Sequence, residues 1–387
     1  MKKLILSGII ACLLAPVFAL TWNGVVDNTS KLSSNDDFSA LTLEQSNGIH
    51  LSVNAPFNTT GTLKFVAEGS FKYKLTSNFE AKNSDLKMIA DLDLFKFSGK
   101  WTVGKGIIAL DLGRFMISDI SGNVFAQKSD GLSVSYDALK FRVGAYAGYT
   151  GLQNRLDVTM LNNPQDDANF YALTAGYVPV MVNLTYKTLF ETQTLGIQGE
   201  AFIPVNTEDK TNYAYATLML NGPIGVIGAY TLKGTAGLSD FKNLMIDGSL
   251  DFNFYLANTA IMVVGGEFVS FEKDSLHYFT PITARTITTD PLFAGGVLPK
   301  VSFILAKSNI LASVTGKGVL GVVPQASDDM KFHGVDITAN VICNVFSDLQ
   351  VGCDLGAFVA VDEVVKDLIK DNKSNVYYAT LKASLAF

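Results

Sequence analysis

The sequence predicts an all-β fold, a transmembrane antiparallel up-and-down β-barrel of about 18 strands. Hydrophobic residues make up 48% of the chain and charged residues 17%. Beyond the N-terminus, however, no apolar run approaches the roughly 20 residues of a membrane helix. Apolar and polar side chains instead alternate with period two through long stretches, as on a strand with two unlike faces. A high apolar content in this interleaved pattern is what a sheet between lipid and water requires.

The chain begins with the features of an export signal. Two lysines open it, residues 4–14 are apolar, and Val17 and Ala19 are small residues at the positions that signal peptidase reads. We therefore expect residues 1–19 to be a secretory signal peptide that is cleaved after Ala19. Cys12 also lies in a loose lipoprotein motif, so lipidation of this residue is the alternative.

Residues 20–387 are predicted to form a single domain. Their number would suffice for two soluble domains. However, no Pro/Ser-rich linker, charge block or change of composition divides them. A single barrel with one long outer loop, at residues 272–297, is therefore the interpretation we favour.

Three segments show the two faces of a predicted strand most clearly: Leu63–Leu75, Leu244–Phe254 and Val335–Val345. In the second of these, Leu250 and Phe252 share one face, while Asp247 and Asp251 share the other. Faces this distinct are expected when one side meets lipid and the other a watery lumen. A soluble sheet would carry more charge on its exposed face.

The alternation of turns and loops predicts the strand number. Short turns are predicted near Phe57-Asn58, Gly99, Leu139, Glu191-Thr192, Asn221-Gly222, Leu256, Ser308 and Ser347-Asp348. Longer loops are predicted near 28–37, 76–83, 117–128, 151–167, 204–210, 235–241, 322–330 and 362–373. The tally of about 18 strands, with both termini periplasmic, holds if residues 168–188 are one strand and residues 272–297 one outer loop. About 16 or about 20 strands remain alternatives.

Charged side chains on the predicted inward faces form a candidate pore lining. They are Lys64, Glu68, Lys72, Asp91, Asp93, Asp137, Arg142, Lys187, Glu200, Asp247, Asp251, Asp336 and Asp354. The first part of this row mixes both signs, and from Glu200 onward it is acidic, which predicts a weak preference for cations. The alternative is that these charges mainly pair with one another or face bulk water.

The long loop at residues 272–297 is the predicted constriction, because loops of this size in compact folds are usually functional or disordered. It carries Phe279, Arg285 and Asp290 between two strands. If the loop folds inward, Arg285 opposite Glu200 would create a transverse electric field.

Two short motifs have structural interpretations. Gly316–Gly321 spells G-x-G-x-x-G but lies within an alternating strand, without the helix that a dinucleotide site needs. Its glycines are therefore predicted to let a neighbouring strand pack closely. Cys343 and Cys353 flank a predicted turn and form a candidate disulfide. The alternative, which we favour, is two small apolar residues in contact with lipid.

The sequence carries no signature of catalysis. His50, His277 and His333 have no metal-ligand or triad spacing near them, and no nucleophile motif occurs. We therefore predict no enzymatic activity, no metal site and no cofactor. The formal net charge of −6, which becomes more acidic without the signal peptide, disfavours a nucleic-acid partner. Residues 362–373 predict a short amphipathic helix, which either caps the barrel mouth or packs as a loop helix.

The C-terminal strand carries a resemblance to a known family. Residues 377–387 alternate and end with Leu385 and Phe387 on the apolar face, which resembles the assembly signal of bacterial outer-membrane barrels. The stretches Leu112–Phe115, Asp119–Asn123 and Ser129–Leu132 are similar to loop and strand patterns of large single-chain porins. Together with the export signal, these features resemble the porin-like outer-membrane barrels of diderm bacteria.

The resemblance implies a location and a function. It implies a cell outer-membrane protein that contacts lipid and the barrel-assembly machinery, allows passive or facilitated diffusion of small hydrophilic solutes or ions, and assembles as a homotrimer. The positive mean hydropathy of +0.25 keeps an apolar-solute transporter of the fatty-acid type as an alternative. A non-conducting surface adhesin or structural barrel is the other alternative.

Overall fold

The architecture was determined from a computed structural model, which describes residues 20–35, 37–150, 176–205, 210–272, 276–283, 293, 295–323, 327–370 and 376–387. The predicted signal peptide, Cys12, Arg285 and Asp290 lie outside the described residues.

Strands dominate the chain. They are β1 (Thr21–Ser34), β2 (Thr42–Pro56), β3 (Leu63–Asn78), β4 (Asn83–Val103), β5 (Gly106–Ser118), β6 (Ala126–Ala138), β7 (Phe141–Tyr149), β8 (Gly176–Leu189), β9 (Gln193–Val205), β10 (Tyr213–Ile224), β11 (Gly228–Ser239), β12 (Asn243–Ala257), β13 (Ala260–Val269), β14 (Gly295–Lys307), β15 (Ile310–Val323), β16 (Ser327–Asn344), β17 (Leu349–Ala360) and β18 (Tyr377–Ala386). One helix, α1 (Glu363–Lys370), lies between β17 and β18.

The strands form one closed antiparallel sheet of 18 members, in which each strand pairs with its neighbours in sequence. Closure occurs between β1 and β18, where Val25 lies opposite Ala386 and Ser34 opposite Tyr377. A closed barrel leaves no unpaired sheet edge, which satisfies every backbone group of a sheet that spans a membrane. The predicted fold class and strand number are confirmed.

The period-two pattern explains why these residues form the wall. In β12, Met245 and Asp247 are each 1% exposed on the inner face, while Leu244 and Leu250 are 39% and 38% exposed on the outer face. The outer face of the barrel is thus a band of large apolar side chains, as lipid contact requires. The predicted segments Leu63–Leu75, Leu244–Phe254 and Val335–Val345 correspond to β3, β12 and β16.

The connections alternate between two ends of the barrel, a turn end and a loop end. Five predicted turns coincide with observed ones, near residues 57–62, 139–140, 190–192, 308–309 and 345–348. Three others lie a few residues later than predicted, at 104–105, 225–227 and 258–259. Gly99 illustrates the reason, because it lies inside β4 and its missing Cβ leaves room for the ring of Trp101. A glycine that accommodates an aromatic ring thus gives the same local signal in the sequence as a glycine in a turn.

The predicted strand number depends on two conditions, that residues 168–188 are one strand and that residues 272–297 are one outer loop. Strand β8 runs without a break through Gly176 and Pro179, and residues 168–175 lie outside the described residues. Within the described residues between β13 and β14, the stretch from His277 onward forms no strand. It is part of a long connection at the loop end, as predicted.

Helix α1 lies at the loop end and confirms the predicted amphipathic helix. Val365 and Ile369 are buried, with exposures of 0% and 1%, whereas Val364 of the same helix remains exposed. The buried side chains pack against the ends of β14, β15 and β17 in a cluster with Phe293. No helix of the described chain is long and apolar enough to cross a membrane.

The candidate disulfide is not formed. Cys343 and Cys353 are both free thiols. The register of β16 and β17 places Cys343 opposite Val351 and Cys353 opposite Val341, so the two cysteines are diagonal neighbours rather than partners. The turn at 345–348 displaces the register from the symmetric one that would place the two cysteines opposite each other, which agrees with the alternative that the sequence favours, two unlinked residues.

Candidate functional site: the barrel lumen and its inward loop

The connection between β5 and β6, residues 119–125, folds into the lumen, and we call it the inward loop. It reaches strands β9, β11 and β12, which are separated from β5 and β6 by intervening strands of the wall. The contacts are Ile120 N to Gln198 Oε1 (3.0 Å), Lys233 Nζ to Ser121 O (2.8 Å) and Asn123 Nδ2 to Asp247 Oδ1 (3.1 Å). Because the wall is closed, such contacts are made only through the lumen, so the inward loop narrows it.

The carboxylate of Asp119 holds the inward loop together. Its Oδ2 accepts hydrogen bonds from the amides of Ser121 (2.9 Å) and Gly122 (3.0 Å) and from the Ser121 hydroxyl. Its Oδ1 accepts from the amides of Val124 (3.2 Å) and Phe125 (2.9 Å). Asp119 is 4% exposed. One buried carboxylate therefore satisfies the donors of a tight turn that has no sheet partner, as Asx-type turns do.

Apolar packing anchors the loop to one side of the wall. Val124 and Phe125 are completely buried. They belong to a cluster, the lumen core, that comprises Phe115, Val124, Phe125, Tyr146, Tyr177, Met181, Phe202, Tyr213, Tyr215, Met245, Val269, Phe279 and Ile282. Most of these residues lie on strands β7 to β13. The inward loop thus closes off that side and leaves the opening beside the other strands.

The predicted constriction loop contributes to the lumen core through residues 276–283. Ile282 N donates to Val124 O at 2.9 Å, and the Tyr215 hydroxyl donates to Thr280 O. Phe279 is 6% exposed and packs edge-on against Tyr215, with ring centroids 6.1 Å apart. This segment therefore folds into the lumen and contacts the inward loop at Val124. The transverse field predicted for Arg285 concerns residues outside the described part of the chain.

The sequence predicted the constriction in residues 272–297, whereas the inward loop is the main constriction of the described lumen. Its pattern nevertheless contains a signal, since the turn-forming residues Asp119, Gly122 and Asn123 are followed at once by Val124 and Phe125. An apolar pair at the tip of a polar outer loop has no partner outside the barrel. Such a pair indicates a loop that turns inward.

The predicted lining residues of the first half lie mostly in ion pairs. The pairs are Lys72 with Asp93 (3.9 Å), Lys128 with Asp91 (3.5 Å) and with Asp93, and Lys187 with Asp137. Arg142 lies directly opposite Asp137 in the register of β6 and β7. Lys64 and Glu68 share one face of β3, with Lys64 opposite Ser98. This half of the wall therefore carries balanced charge.

The predicted acidic row of the second half is partly balanced by lysines that the sequence analysis did not include. Lys300 lies 2.8 Å from Asp251, and Lys382 pairs with Asp354. Lys317 lies directly opposite Asp336 in the register. The row is therefore less negative than its acidic residues alone predicted. The difference arises because the pairing of strands, not sequence distance, brings the lysines to the carboxylates.

Glu200 differs from the other acidic residues of the row. It is 5% exposed, on the same face of β9 as Gln198, which contacts the inward loop. Neither of its carboxylate oxygens accepts a hydrogen bond, and no cation pairs with it, within the part of the chain that the structure describes. The Asp119 carboxylate is its electrostatic neighbour. The narrowed part of the lumen therefore has an acidic wall.

A cavity of about 180 Å³ adjoins the inward loop where it meets strands β11 to β15. It is lined by Asn123, Lys233, Ser249, Asp251, Gly266, Glu267, Leu298, Lys300 and Lys317. Its polar and charged lining is suited to hydrated solutes. The wall also brings together His50, Glu68 and Asp93, whose ligand atoms lie within 4.8 Å of one another. Sequence spacing had predicted no such group, because its members belong to three different strands.

Comparison with known proteins was made by sequence and by structure. No protein-family model and no curated protein sequence matches the chain. The barrel is similar to the outer membrane protein opdK from Pseudomonas aeruginosa, with 13% identity, a TM-score of 0.61 and coverage of 95% of this chain and 98% of that one.

Two further solved structures show the same likeness. OccK2 (OpdF) of Pseudomonas aeruginosa, in complex with glucuronate, is 13% identical, with a TM-score of 0.56 and coverage of 95% and 98%. OccAB3 of Acinetobacter baumannii is 9% identical, with a TM-score of 0.57 and coverage of 95% and 99%. The chain therefore has the porin-like β-barrel fold of outer-membrane proteins that its sequence resembles.

Proposed function

We propose that the protein is an outer-membrane channel for the passive or facilitated diffusion of small hydrophilic solutes or ions, with a weak preference for cations. The observation that carries the proposal is a closed barrel whose polar lumen is narrowed by the inward loop. A barrel of this size is wide enough for an aqueous channel. Structurally similar proteins of the outer membrane, one of them in complex with glucuronate, support the solute class.

The cation preference is proposed from the charges at the narrowest part. Most lining carboxylates have a lysine beside them, but Glu200 and Asp119 are buried without an ion-pair partner in the described structure. Charges at a constriction decide ion preference more than charges in wide parts of the pore. The oxygens of these two neighbouring carboxyl groups at the constriction therefore favour cations over anions.

The alternatives receive less support. The apolar side chains of the lumen core pack against one another, with exposures of 6% or less, and so they offer no apolar path for a lipid-like solute. A barrel that serves only as an adhesin would have no need of a charged cavity next to its constriction. The lining therefore favours a channel for polar solutes.

The same proposal includes an outer-membrane location, assembly through the C-terminal residues and a homotrimer. The outward apolar band supports insertion into outer-membrane lipid after removal of residues 1–19. Phe387 is 69% exposed, Leu385 is 43% exposed, and Phe387 pairs with Gly24 through two backbone hydrogen bonds of 2.8 and 2.9 Å. Both side chains are exposed even in the closed barrel. They are therefore also accessible to the barrel-assembly machinery before β1 and β18 pair. A homotrimer stays a prediction of the resemblance.

Planar-bilayer recording of the refolded mature chain tests the proposal. We expect stable conductance steps and a reversal potential, in a KCl gradient, on the cation-selective side. The Glu200→Gln variant should shift the reversal potential toward zero in alkaline buffer, where the buried Glu200 carboxyl is ionised and the substitution removes a constriction charge. The Asp137→Asn variant is the matched control, since it removes one charge from a wider, ion-paired part of the wall.

Three results would count against the proposal. A folded barrel that never conducts would exclude the channel. An anion-selective reversal potential would exclude the role of the acidic constriction. Equal shifts from Glu200→Gln and Asp137→Asn would show that selectivity comes from the whole lining rather than from the narrow part.

A further inference from the structure

A group of metal-binding side chains lies on the lumen wall away from the inward loop. His50 on β2, Glu68 on β3 and Asp93 on β4 converge there. Nδ1 of His50 lies 3.8 Å from Glu68 Oε1 and 3.5 Å from Asp93 Oδ2. Ligand atoms bound about 2.1 Å from a tetrahedral metal ion are separated by about 3.4 Å. The two separations from Nδ1 are therefore close to those that a metal ion imposes, and the ligand atoms of all three residues lie within 4.8 Å of one another.

A β-bulge brings the aspartate into this group. Glu68 lies opposite Leu94 and the next residue, Gly69, lies opposite Leu92, so Asp93 is the extra residue of β4. Bulges commonly re-aim a side chain at functional sites. Because no residue of β3 lies opposite Asp93, its carboxylate extends across β3 to reach His50 on β2.

The two oxygens of Asp93 have different surroundings. Oδ1 faces Lys72 and Lys128, with which it forms ion pairs. Oδ2 faces His50 and accepts no hydrogen bond from any described residue, although the side chain is only 7% exposed. A buried carboxylate oxygen without a partner is unfavourable. A cation between Oδ2 and Nδ1 would remove this cost.

A fourth residue, Asp27 on β1, orients the imidazole. Its Oδ1 lies 2.8 Å from Nε2 of His50. A carboxylate beside one ring nitrogen favours the proton there and leaves the lone pair of the other nitrogen for a metal, as in carboxylate–histidine–zinc arrangements. Gly48 leaves space for this pair, because a Cβ at that position would collide with Asp27 Oδ1.

The site has access to solvent. A cavity of about 260 Å³ is lined by Asn23, Val25, Asp27, His50, Ser52 and Glu68. It provides the route by which an ion would enter, and room for the water that completes a coordination shell. One nitrogen and two carboxylate oxygens are a ligand set that suits zinc and similar divalent transition metals.

We propose that His50, Glu68 and Asp93 bind a divalent transition-metal cation on the lumen wall, with Asp27 as a positioning residue. Lys72 and Lys128 place positive charge near Asp93 and weaken the binding. The proposal goes beyond the channel function and does not depend on it, because binding is measured on the folded barrel in detergent. A barrel that fails to conduct but binds the ion would refute the channel alone.

Isothermal titration calorimetry of the full chain, refolded in detergent, with ZnCl₂ tests the proposal. We expect one ion per chain, and an affinity reduced at least about tenfold in His50→Ala and in Asp93→Asn. Asp27→Asn should weaken binding by about tenfold through the orientation of the imidazole. His277→Ala is the control that removes a histidine elsewhere, and Cys343 and Cys353 are present in every variant.

Heat-modifiable migration on gels establishes that each variant is folded. If His50→Ala does not fold, Glu68→Gln serves as the second ligand variant with the same expectation. Absence of zinc binding to the native chain would overturn the proposal and indicate that His50 serves only to contact the carboxylates. Equal zinc binding by the native chain and the ligand variants would overturn it as well.

Discussion

Removal of the Asp119 carboxylate should release the inward loop and widen the channel. In Asp119→Ala, four backbone amides and one hydroxyl lose their shared acceptor. Three of these amides have no other acceptor in the described structure, whereas Gly122 N also donates to the backbone oxygen of Asp119 at 3.2 Å. The contacts to Gln198 and Asp247 depend on the loop conformation that the carboxylate maintains.

The magnitude follows from the hydrogen bonds. Each bond to a charged acceptor contributes about 1.5–3 kcal/mol, so the four amides together contribute on the order of 6 kcal/mol at the lower limit. The buried side chains of Val124 and Phe125 contribute about 3–6 kcal/mol together. The carboxylate is therefore at least as important as the apolar anchor. A change of about 5.5 kcal/mol converts a 99:1 equilibrium into a 1:99 equilibrium.

Single-channel conductance in planar bilayers measures this change. Most openings of Asp119→Ala should occur at a higher conductance than those of the native protein. Asp119→Asn keeps one acceptor oxygen without the charge, and it should alternate between the native and the higher level. The control is Asp37→Ala in the loop between β1 and β2, because Asp37 is exposed and accepts the amide of Ser39 at 3.0 Å within its own loop. The Ser39 hydrogen bonds lower the pKa of Asp37, so the control removes a carboxylate that is charged at neutral pH.

The reasoning would be refuted if Asp119→Ala conducted in steps of native size while its folded yield remained unchanged. The inward loop would then be held by the lumen core alone. Equal effects of Asp119→Ala and Asp37→Ala would also refute it, because they would trace the change to a loss of charge at the loop end.

Two further predictions concern assembly and stability. Gly24→Val should lower the yield of folded, heat-modifiable barrel, because a Cβ at this position would collide with the ring of Phe387 at the closing seam. Gly234→Val, where nothing lies within 4 Å of a Cβ, should leave the yield unchanged, and equal losses would contradict the seam argument. Phe125→Ala should lower the free energy of unfolding by about 3–5 kcal/mol in denaturant titration. Phe346→Ala, at a turn residue that is 67% exposed, should have little effect, and a similar loss there would contradict the role of the lumen core.

Much of the wall was predictable because strand formation in a barrel depends on local pattern. Alternation assigns one face to lipid and the other to the lumen, without knowledge of distant residues. The errors were displacements of turns, such as the one near Gly99, where the local signal of a glycine has two explanations. The even strand number followed from alternating short and long connections, which are also local features.

The site was less predictable because its contacts depend on which strands are neighbours and on their register. Asp251 forms an ion pair with Lys300 of β14, and Asp354 forms an ion pair with Lys382 of β18. No spacing in the sequence indicates either pair. The same is true of His50 and Asp93, whose approach requires a bulge that shifts the register between β3 and β4.

The fold class, the approximate strand number and the lipid-facing band follow from the sequence alone, because each depends on alternation within a strand. The tertiary structure alone decided which charges are paired, which loop narrows the lumen and where metal-binding side chains converge. These features are set by contacts across the closed barrel, between residues far apart in the chain. Residues 119–125 form their hydrogen bonds with β9, β11 and β12 across the lumen, and these bonds require the closed wall.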